Sequence, residues 1–593
     1  MIAGLAAAAL LLIVDGVWAG QAMFRGVASA RSALGEGAVA VVTGDPEAAR
    51  PLFDDAGRDA SSTLSAAEHP SVELLTHLPW LGDNVSAVTA VAEASQQSAQ
   101  AGLSMVEAAT ILGWQDLRVP ATQALGSVDV ATLRAATPSL DEVASRLDQA
   151  TTDLQNADTG RLVGPVATGF DDTLQTLRHR AKIAADARDL AHLLPGLLGA
   201  GGSRTYLIAI QTLGVPQGTG GRVDLVGTAV AERGSLSLSG PLTPAGEIYD
   251  DVNVTPDGPT AAQELLRAAR ESGLGELDGV ILIDPVWLQD ALWVTGSVNI
   301  PGRKRPVTMD DAATEMERDL LEGTDPDRAS FARADLATAI IESYLDRRPS
   351  TEAFAIGLVH DVAERHLIVY STKPKEQEIV DRLGASGSYV PGPNPLAVTW
   401  RSLVTNHAVI FARRTTSQTV TLSADGSAHV RTIVELANQS PEGPPSLVLG
   451  LPLPATVPDP GGVDPVGGWA GEVQVALPPK ATRITVETSV PSETEVVREE
   501  GTQSAVGTLA TDPGDQMTLI VSYTIDHAMA KGGGEFRMNV LPQPSFLPAT
   551  VRVRIDVPTG AVISSASDDL EQSGGSVRYV GTPTRSVPLF VRW

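Results

Sequence analysis

The spacing of apolar residues changes twice along this 593-residue chain, and that constrains its fold more than any single motif does. From about 21 to 200 the spacing is helical. Leu140, Val143, Leu147, Ala150 and Leu154 follow an a/d heptad rhythm. A second stripe runs Phe170, Leu174, Leu177, Ala181, Ala184 and Ala191, and a third begins after Asp83 with Val85, Val88 and Ala92. Pro138 reads as the first turn of one helix, with Ser139 and Glu142 at capping-box spacing. The stripes are rich in alanine, which lets helices approach closely, and they read as packing seams. The expectation for 21–202 is an elongated helical bundle or stalk, ended by the Pro and Gly breakers of Leu193–Ser203.

From 203 to 365 short apolar runs alternate with helical patterns. Strands are expected at Tyr206–Ile210, Val223–Val230, Ser235–Leu238 and Val280–Ile283, and helices over 260–271, 285–294, 308–322 and 328–346. This reads as a central α/β sandwich module, with helices packed on a sheet. Residues 366–412 read as a mixed connecting segment. Beyond 413 apolar and polar residues alternate. The stretch "SQTVTLSADGSAHVRTIVELAN" has an Asp425-Gly426 turn between two such runs, a strong hairpin signal. Residues 413–593 therefore read as an antiparallel β-sandwich, interrupted by a long Pro/Gly loop at Leu451–Gly471. The whole is a multidomain α+β chain, which its length requires, since one core does not grow to this size.

The N-terminus bears on location. Ile2–Gly20 is apolar except for Asp15, and roughly 20 such residues span a bilayer core. Residues 1–20 read as an uncleaved transmembrane anchor. A cleaved signal peptide is the rival, since "VWAGQA" offers small residues at the end of the run. No Lys or Arg precedes the run, so charge gives no orientation. The net charge of −28 makes the surface unsuited to nucleic acid and to anionic headgroups. Attachment to the cytoplasmic membrane would therefore be hydrophobic. Cysteine is absent, which excludes disulfides, zinc–thiolate sites, iron–sulfur ligation and thiol catalysis.

The stretch "YLIAIQTLGVPQGTGGRVDLVG" places Gly214, Gly218, Gly220 and Gly221 after a strand, where phosphate-binding loops often lie. A dinucleotide fingerprint needs a helix next, because its N-terminus binds the pyrophosphate. Here Val223, Leu225 and Val226 continue as a strand, so the loop reads as a wide hairpin with glycines at positive φ. No Walker A, GxSxG or HExxH sequence is present, and "KGGGE" (Lys531–Glu535) reads as a hairpin tip. His360 and His366 are six apart, wrong for one helical face, which argues against a metal pair. Asp284, before Pro285, reads as an N-cap, and Asp257 as a turn residue before a Thr260–Gln263 capping box. Asp310 and Asp311 read as helix-opening residues. Asp250, Asp251, Asp325 and Asp327 complete the local carboxylates, and Arg222, Arg328 and Arg333 are the cations available to an anion.

The segments "LTHLPWLGDNVSAV", "SRTYLIAIQ…TGG", "DVNVTPDGPTAAQELL", "LDGVILIDPVWLQDALWVTGSVNI", "DRASFARADLATAIIESYL" and "DPGDQMTLIVSYTI" together resemble, in order, the bacterial family known as domain of unknown function 4012. The resemblance implies a membrane-anchored protein of the cell envelope, with most of the chain extracytoplasmic and no established activity. The central region is also distantly similar in layout to the LytR–CpsA–Psr family. That likeness implies transfer of glycopolymers from polyprenyl pyrophosphate carriers, with arginines and Mg²⁺-bound aspartate around the diphosphate. Against the first family's pattern, Val215 stands where an acid is usual, Gln217 where an arginine is usual, and Gly258 where an aromatic is usual. Thr219, Gly220 and Gly221 are kept. Gln217 supplies neither the charge nor the fork of a guanidinium.

The expected role is therefore a non-catalytic binding or scaffold protein for an envelope glycopolymer or envelope protein, with no cofactor. The alternative is a Mg-dependent glycopolymer phosphotransferase using Arg222, Arg328 or Arg333 with Asp224, Asp257 or Asp284. The candidate binding residues are Gln217, Thr219, Gly220, Gly221, Arg222, Asp257, Asp284, Arg328 and Arg333.

Overall fold

The computed structural model describes residues 25–593, apart from 42, 70–71, 73–78, 114–127, 158–159, 161, 301–302, 347–350, 453–461, 500–501 and 530–533. The expected anchor at 1–20 and the tip of "KGGGE" lie outside the described residues. Among the described residues no helix is long and apolar enough to cross a membrane. The chain is a mixed α+β protein, helical in its N-terminal part and built of β-sheets in its C-terminal part. The described residues form two compact units, the first drawn almost entirely from those up to Ser203.

The first unit is a bundle. One helix runs through 25–41, followed by Pro46–Ala67, Pro79–Ile111, Val130–Asn156 and Gly164–Leu197. Its core takes in Val88, Val143, Leu147, Ala150, Leu154, Phe170, Leu177 and Ala184, members of the three stripes. The expected helix start at Pro138 is corrected. Asp129 caps the helix Val130–Asn156, its carboxylate accepting from the amides of Ala131 and Thr132, and Pro138 lies inside.

In the second unit a six-stranded sheet carries the central module. Its strands are β1 (Arg204–Gln217), β2 (Gly220–Glu232), β3 (Ser235–Leu238), β4 (Thr243–Pro244), β5 (Gly279–Ile283) and β6 (Leu367–Ser371). The main order is β3-β2-β1-β5-β6, with β4 on β2. β1 and β5 are parallel, joined by a crossover that contains the helix Gly258–Glu271, and β6 returns antiparallel to β5. One face packs on Leu265, Ala268 and Ala269 of that helix. The other packs on the helices Pro285–Thr295, Met309–Glu317 and Pro326–Asp346. The residues just before 366–412 form a helix, Thr351–Glu364, and the segment itself supplies both β6 and a sandwich strand, Pro395–Ser402.

The rest of the unit is a sandwich of two seven-stranded sheets enclosing one large core. The expected hairpin is present as Ala412–Leu422 against Ala428–Asn438, turning at Asp425-Gly426. The Pro/Gly loop ends earlier than expected, because Trp469–Leu477 already pairs with Thr502–Thr511.

Candidate functional site

Ile210 pairs with Ile283 in parallel, and Ile283 pairs with Leu367. The C-terminal ends of β1 and β5 and the start of β6 therefore meet at one end of the sheet, the edge where α/β folds most often place ligands. Three polar assemblies lie there.

The first is the glycine hairpin, and it is tighter than expected. Gln217 pairs with Gly220, so only Gly218 and Thr219 form the turn. Of the four glycines only Gly220 has positive φ, at 145°. Gly218 and Gly221 serve close approach instead. A Cβ on Gly218 would collide with the Thr255 carbonyl, and one on Gly221 with the Thr212 carbonyl. Buried side chains lock the turn. Thr219 Oγ1 donates to Gln211 Oε1 at 2.9 Å. Asn253 Nδ2 donates to the Gly221 carbonyl at 2.6 Å, to Thr219 Oγ1 at 2.8 Å and to Gln211 Oε1 at 3.2 Å. Gln217 Nε2 donates to the Asp250 carbonyl at 2.8 Å. From the sandwich, Gln543 Nε2 donates to the Gln217 carbonyl and to Trp400 O, and Pro544 packs over Gly220. The turn is covered by protein.

The second assembly fills an irregularity in β1. Between the pairs Thr212–Arg222 and Pro216–Gly221, β1 carries three extra residues, Leu213, Gly214 and Val215. Such a bulge leaves backbone N–H groups without ladder partners. Glu317, fully buried at the end of its helix, supplies them. It accepts from Leu213 N at 2.7 Å, Gly214 N at 2.9 Å, Thr212 Oγ1 at 2.8 Å and, from the sandwich, His407 Nδ1 at 3.0 Å. Burial alone would raise its pKa. The bond and charge of His407, the charge of Arg333 and the Thr212 bond outweigh it, so the pKa is lowered.

The third is a carboxylate–histidine cluster. Asp284 follows β5 and caps the helix Pro285–Thr295, accepting from the amides of Val286 and Trp287 at 2.9 and 3.1 Å. Its second oxygen lies 2.7 Å from His366 Nδ1, and both residues are buried. Glu364 lies 3.7 Å from His366 Nε2 and 3.4 Å from His360 Nε2, and accepts from Thr584 of the sandwich. His360 and His366, whose spacing argues against a metal pair, nonetheless both lie near Glu364. Arg365, at φ 65°, turns the chain between helix and β6, so both rings reach Glu364. A spacing rule for one helix does not cover that turn. Asp290 and Asp361 are neighbouring carboxyls that affect each other's titration. Burial and the Asp290 charge push Asp361 up to about 9, and burial raises Asp290. Burial opposes protonation of His366, but the Asp284 carboxylate prevails and raises its pKa. Asp361 keeps its proton at neutral pH. Among the described residues no group of His, Asp and Glu has the geometry of a metal site.

The expected cations are dispersed. Arg333 is buried and paired with Asp224. Arg328 is exposed in the first turn of its helix, where Asp325 accepts its backbone amide. Arg222 lies 4.0 Å from Asp250, whose pKa is raised by burial against that arginine's pull. Asp257 is itself the N-cap of Gly258–Glu271, accepting from Thr260 N at 3.1 Å, so the expected Thr260 cap is corrected. Its other oxygen takes the Tyr389 amide at 3.0 Å. Gly258 lets the chain at Ser386–Gly387 approach, and a Cβ there would strike the Ser386 carbonyl. Sequence reasoning missed Gln211, Asn253, Glu317, Asp290, Asp361 and His407. The one local signal was the polar pair Gln211-Thr212 in an otherwise apolar strand.

No curated protein matches the chain. Among solved structures, a Legionella pneumophila protein described as nutrient binding aligns at 9% identity over 33% of this chain and 70% of its own, with a TM-score of 0.21. The transcriptional regulator yvhJ of Bacillus subtilis aligns at 11% identity over 34% of this chain and 84% of its own, with a TM-score of 0.17. Neither likeness carries an argument at such scores. A family described as "Protein of unknown function (DUF4012)" matches residues 240–320, from just after β3 to Leu320 just past Glu317. That stretch supplies Asn253, Asp257, Asp284 and Glu317, and over it the chain is similar to the family of domain of unknown function 4012.

Proposed function

We propose that the chain is a membrane-anchored, extracytoplasmic envelope protein whose second unit is a non-catalytic binding or scaffold module for an envelope glycopolymer or protein partner. The observation that carries this reading is the closed hairpin. Gln217 replaces a cation and is bonded to Asp250, and Gln543 and Pro544 cover the turn. A diphosphate leaving group needs converging cations to take up its charge. Arg333 is engaged by Asp224, and Arg328 lies exposed on a separate helix start. The anchor rests on the apolar run Ile2–Gly20.

Two measurements test the reading. A tag placed after Trp593 is expected to be cleaved by external protease in spheroplasts, and cleavage only after lysis overturns the topology. Purified full-length chain, given polyprenyl-pyrophosphate-linked glycopolymer and Mg²⁺, is expected to produce no transfer. Mg-dependent transfer that disappears in Arg222→Ala overturns the non-catalytic assignment.

A further inference from the structure

The core of the helical bundle is not closed. A cavity of about 480 Å³ opens between the helix through 25–41 and the helices Pro79–Ile111 and Gly164–Leu197. Its walls include Ala87, Val88, Val91, Val166, Phe170 and Leu177, side chains of the bundle's own core. Protein interiors are close-packed, and a gap of this size lies within the roughly 300–1,000 Å³ of small-molecule sites. Two glycines stand on its wall. Gly35 and Gly169 line the cavity, and no atom lies within 4 Å of where a Cβ would stand on either. Glycine inside a helix is less favourable than alanine, and here alanine would fit without a clash.

The same cavity carries Arg31 and Arg180. Arg31 is exposed and lies 3.9 Å from Asp172. Arg180 is half-buried and, among the described residues, has no hydrogen-bond or ion-pair partner. Burial and the like charge of Arg31 lower its pKa. A partly desolvated guanidinium beside a second one, at an apolar cavity, is unfavourable until an anion arrives. One arginine is already served by Asp172, so one negative charge remains to be matched. A carboxylate presents two oxygens to the guanidinium fork.

We infer that this cavity binds a single-chain fatty acid, its acyl chain among Val88, Val91, Val166, Phe170 and Leu177 and its carboxylate on Arg180. The apolar lining selects the chain, the arginine selects the charge, and the cavity volume suits one chain. The site lies wholly within the first unit and does not depend on the hairpin.

Photo-crosslinking of the full chain in phosphatidylcholine nanodiscs with a diazirine analogue of palmitate tests this. Mass spectrometry is expected to place the label on peptides spanning 85–98 and 166–177. Arg180→Gln and Gly169→Leu are each expected to cut labelling at least fivefold, while Arg180→Lys retains most of it. Circular dichroism identical to the parent's shows that each variant has folded. Equal labelling by the diazirine analogue of hexadecanol overturns the charge assignment. Stronger competition by unlabelled lysophosphatidylglycerol than by palmitate overturns the carboxylate. Label spread along the bundle, unmoved by Arg180→Gln and Gly169→Leu, overturns the site. So does labelling that appears only after residues 1–24 are removed, since the chain itself would then be the occupant.

Discussion

Glu317 sets the energetics of the second unit at the residue scale. A fully buried carboxylate persists only if its lone pairs are filled, and four donors fill these. Truncation leaves all four without their acceptor, so Glu317→Ala is expected to cost about 3–5 kcal/mol. Hydrogen exchange reads the effect locally: the amides of Leu213 and Gly214 should lose protection ahead of the rest of β1. The carboxylate–histidine cluster makes a second residue-scale prediction. Asp361 is raised from 3.8 to about 9, so its contribution is full below pH 3.8 and is lost as pH rises through about 9. His366 is raised above 6.5 and loses its contribution in the same direction. Glu317 is lowered below 4.5, so its contribution is present above that value and lost on acidification. Melting temperature is therefore expected to fall between pH 5 and pH 9, and Asp361→Asn should flatten that fall. A melting curve of Asp361→Asn with the parent's full pH dependence removes the assignment.

Regular elements were legible in the sequence, and their irregularities were not. The strand at Ser235–Leu238 and the helix from Pro285 stand where the spacing puts them, because local apolar periodicity is set by burial. The bulge in β1 leaves no such trace. Its three extra residues are stabilised by a glutamate about 100 residues later, and nothing around Glu317 marks it as different from any acid late in a helix. The covering of the hairpin by Gln543 comes from still further along the chain. Gly258 was legible as a departure from the family pattern, and the structure supplies its reason in the close approach of Ser386–Gly387, whose carbonyl accepts the Gly258 amide at 3.1 Å. Gly258→Phe restores the aromatic but collides with that segment. Limited proteolysis is expected to cut within 384–392 in the variant and to spare the parent there.

Across the second unit, the central module and the sandwich share polar contacts as well as apolar ones. His407 reaches Glu317, Thr584 reaches Glu364, and Gln543 bridges Gln217 and Trp400. Their unfolding is expected to be one calorimetric transition. Gln543→Ala should lower its midpoint without dividing it, because the Glu317–His407 contact remains, whereas Gln543→Ala with Glu317→Ala should give two. A divided transition in the parent would show that the joint does not couple them. The Glu317 plug also has a consequence for synthesis. β1 is the first strand of its sheet to leave the ribosome, yet its bulge stays unsatisfied until the helix Met309–Glu317 has been made, and Glu317 then waits for His407, ninety residues on. The first strand to emerge is thus among the last to be completed. A chain stopped before residue 317 carries a β1 with open amides, so the second unit completes its folding late in synthesis.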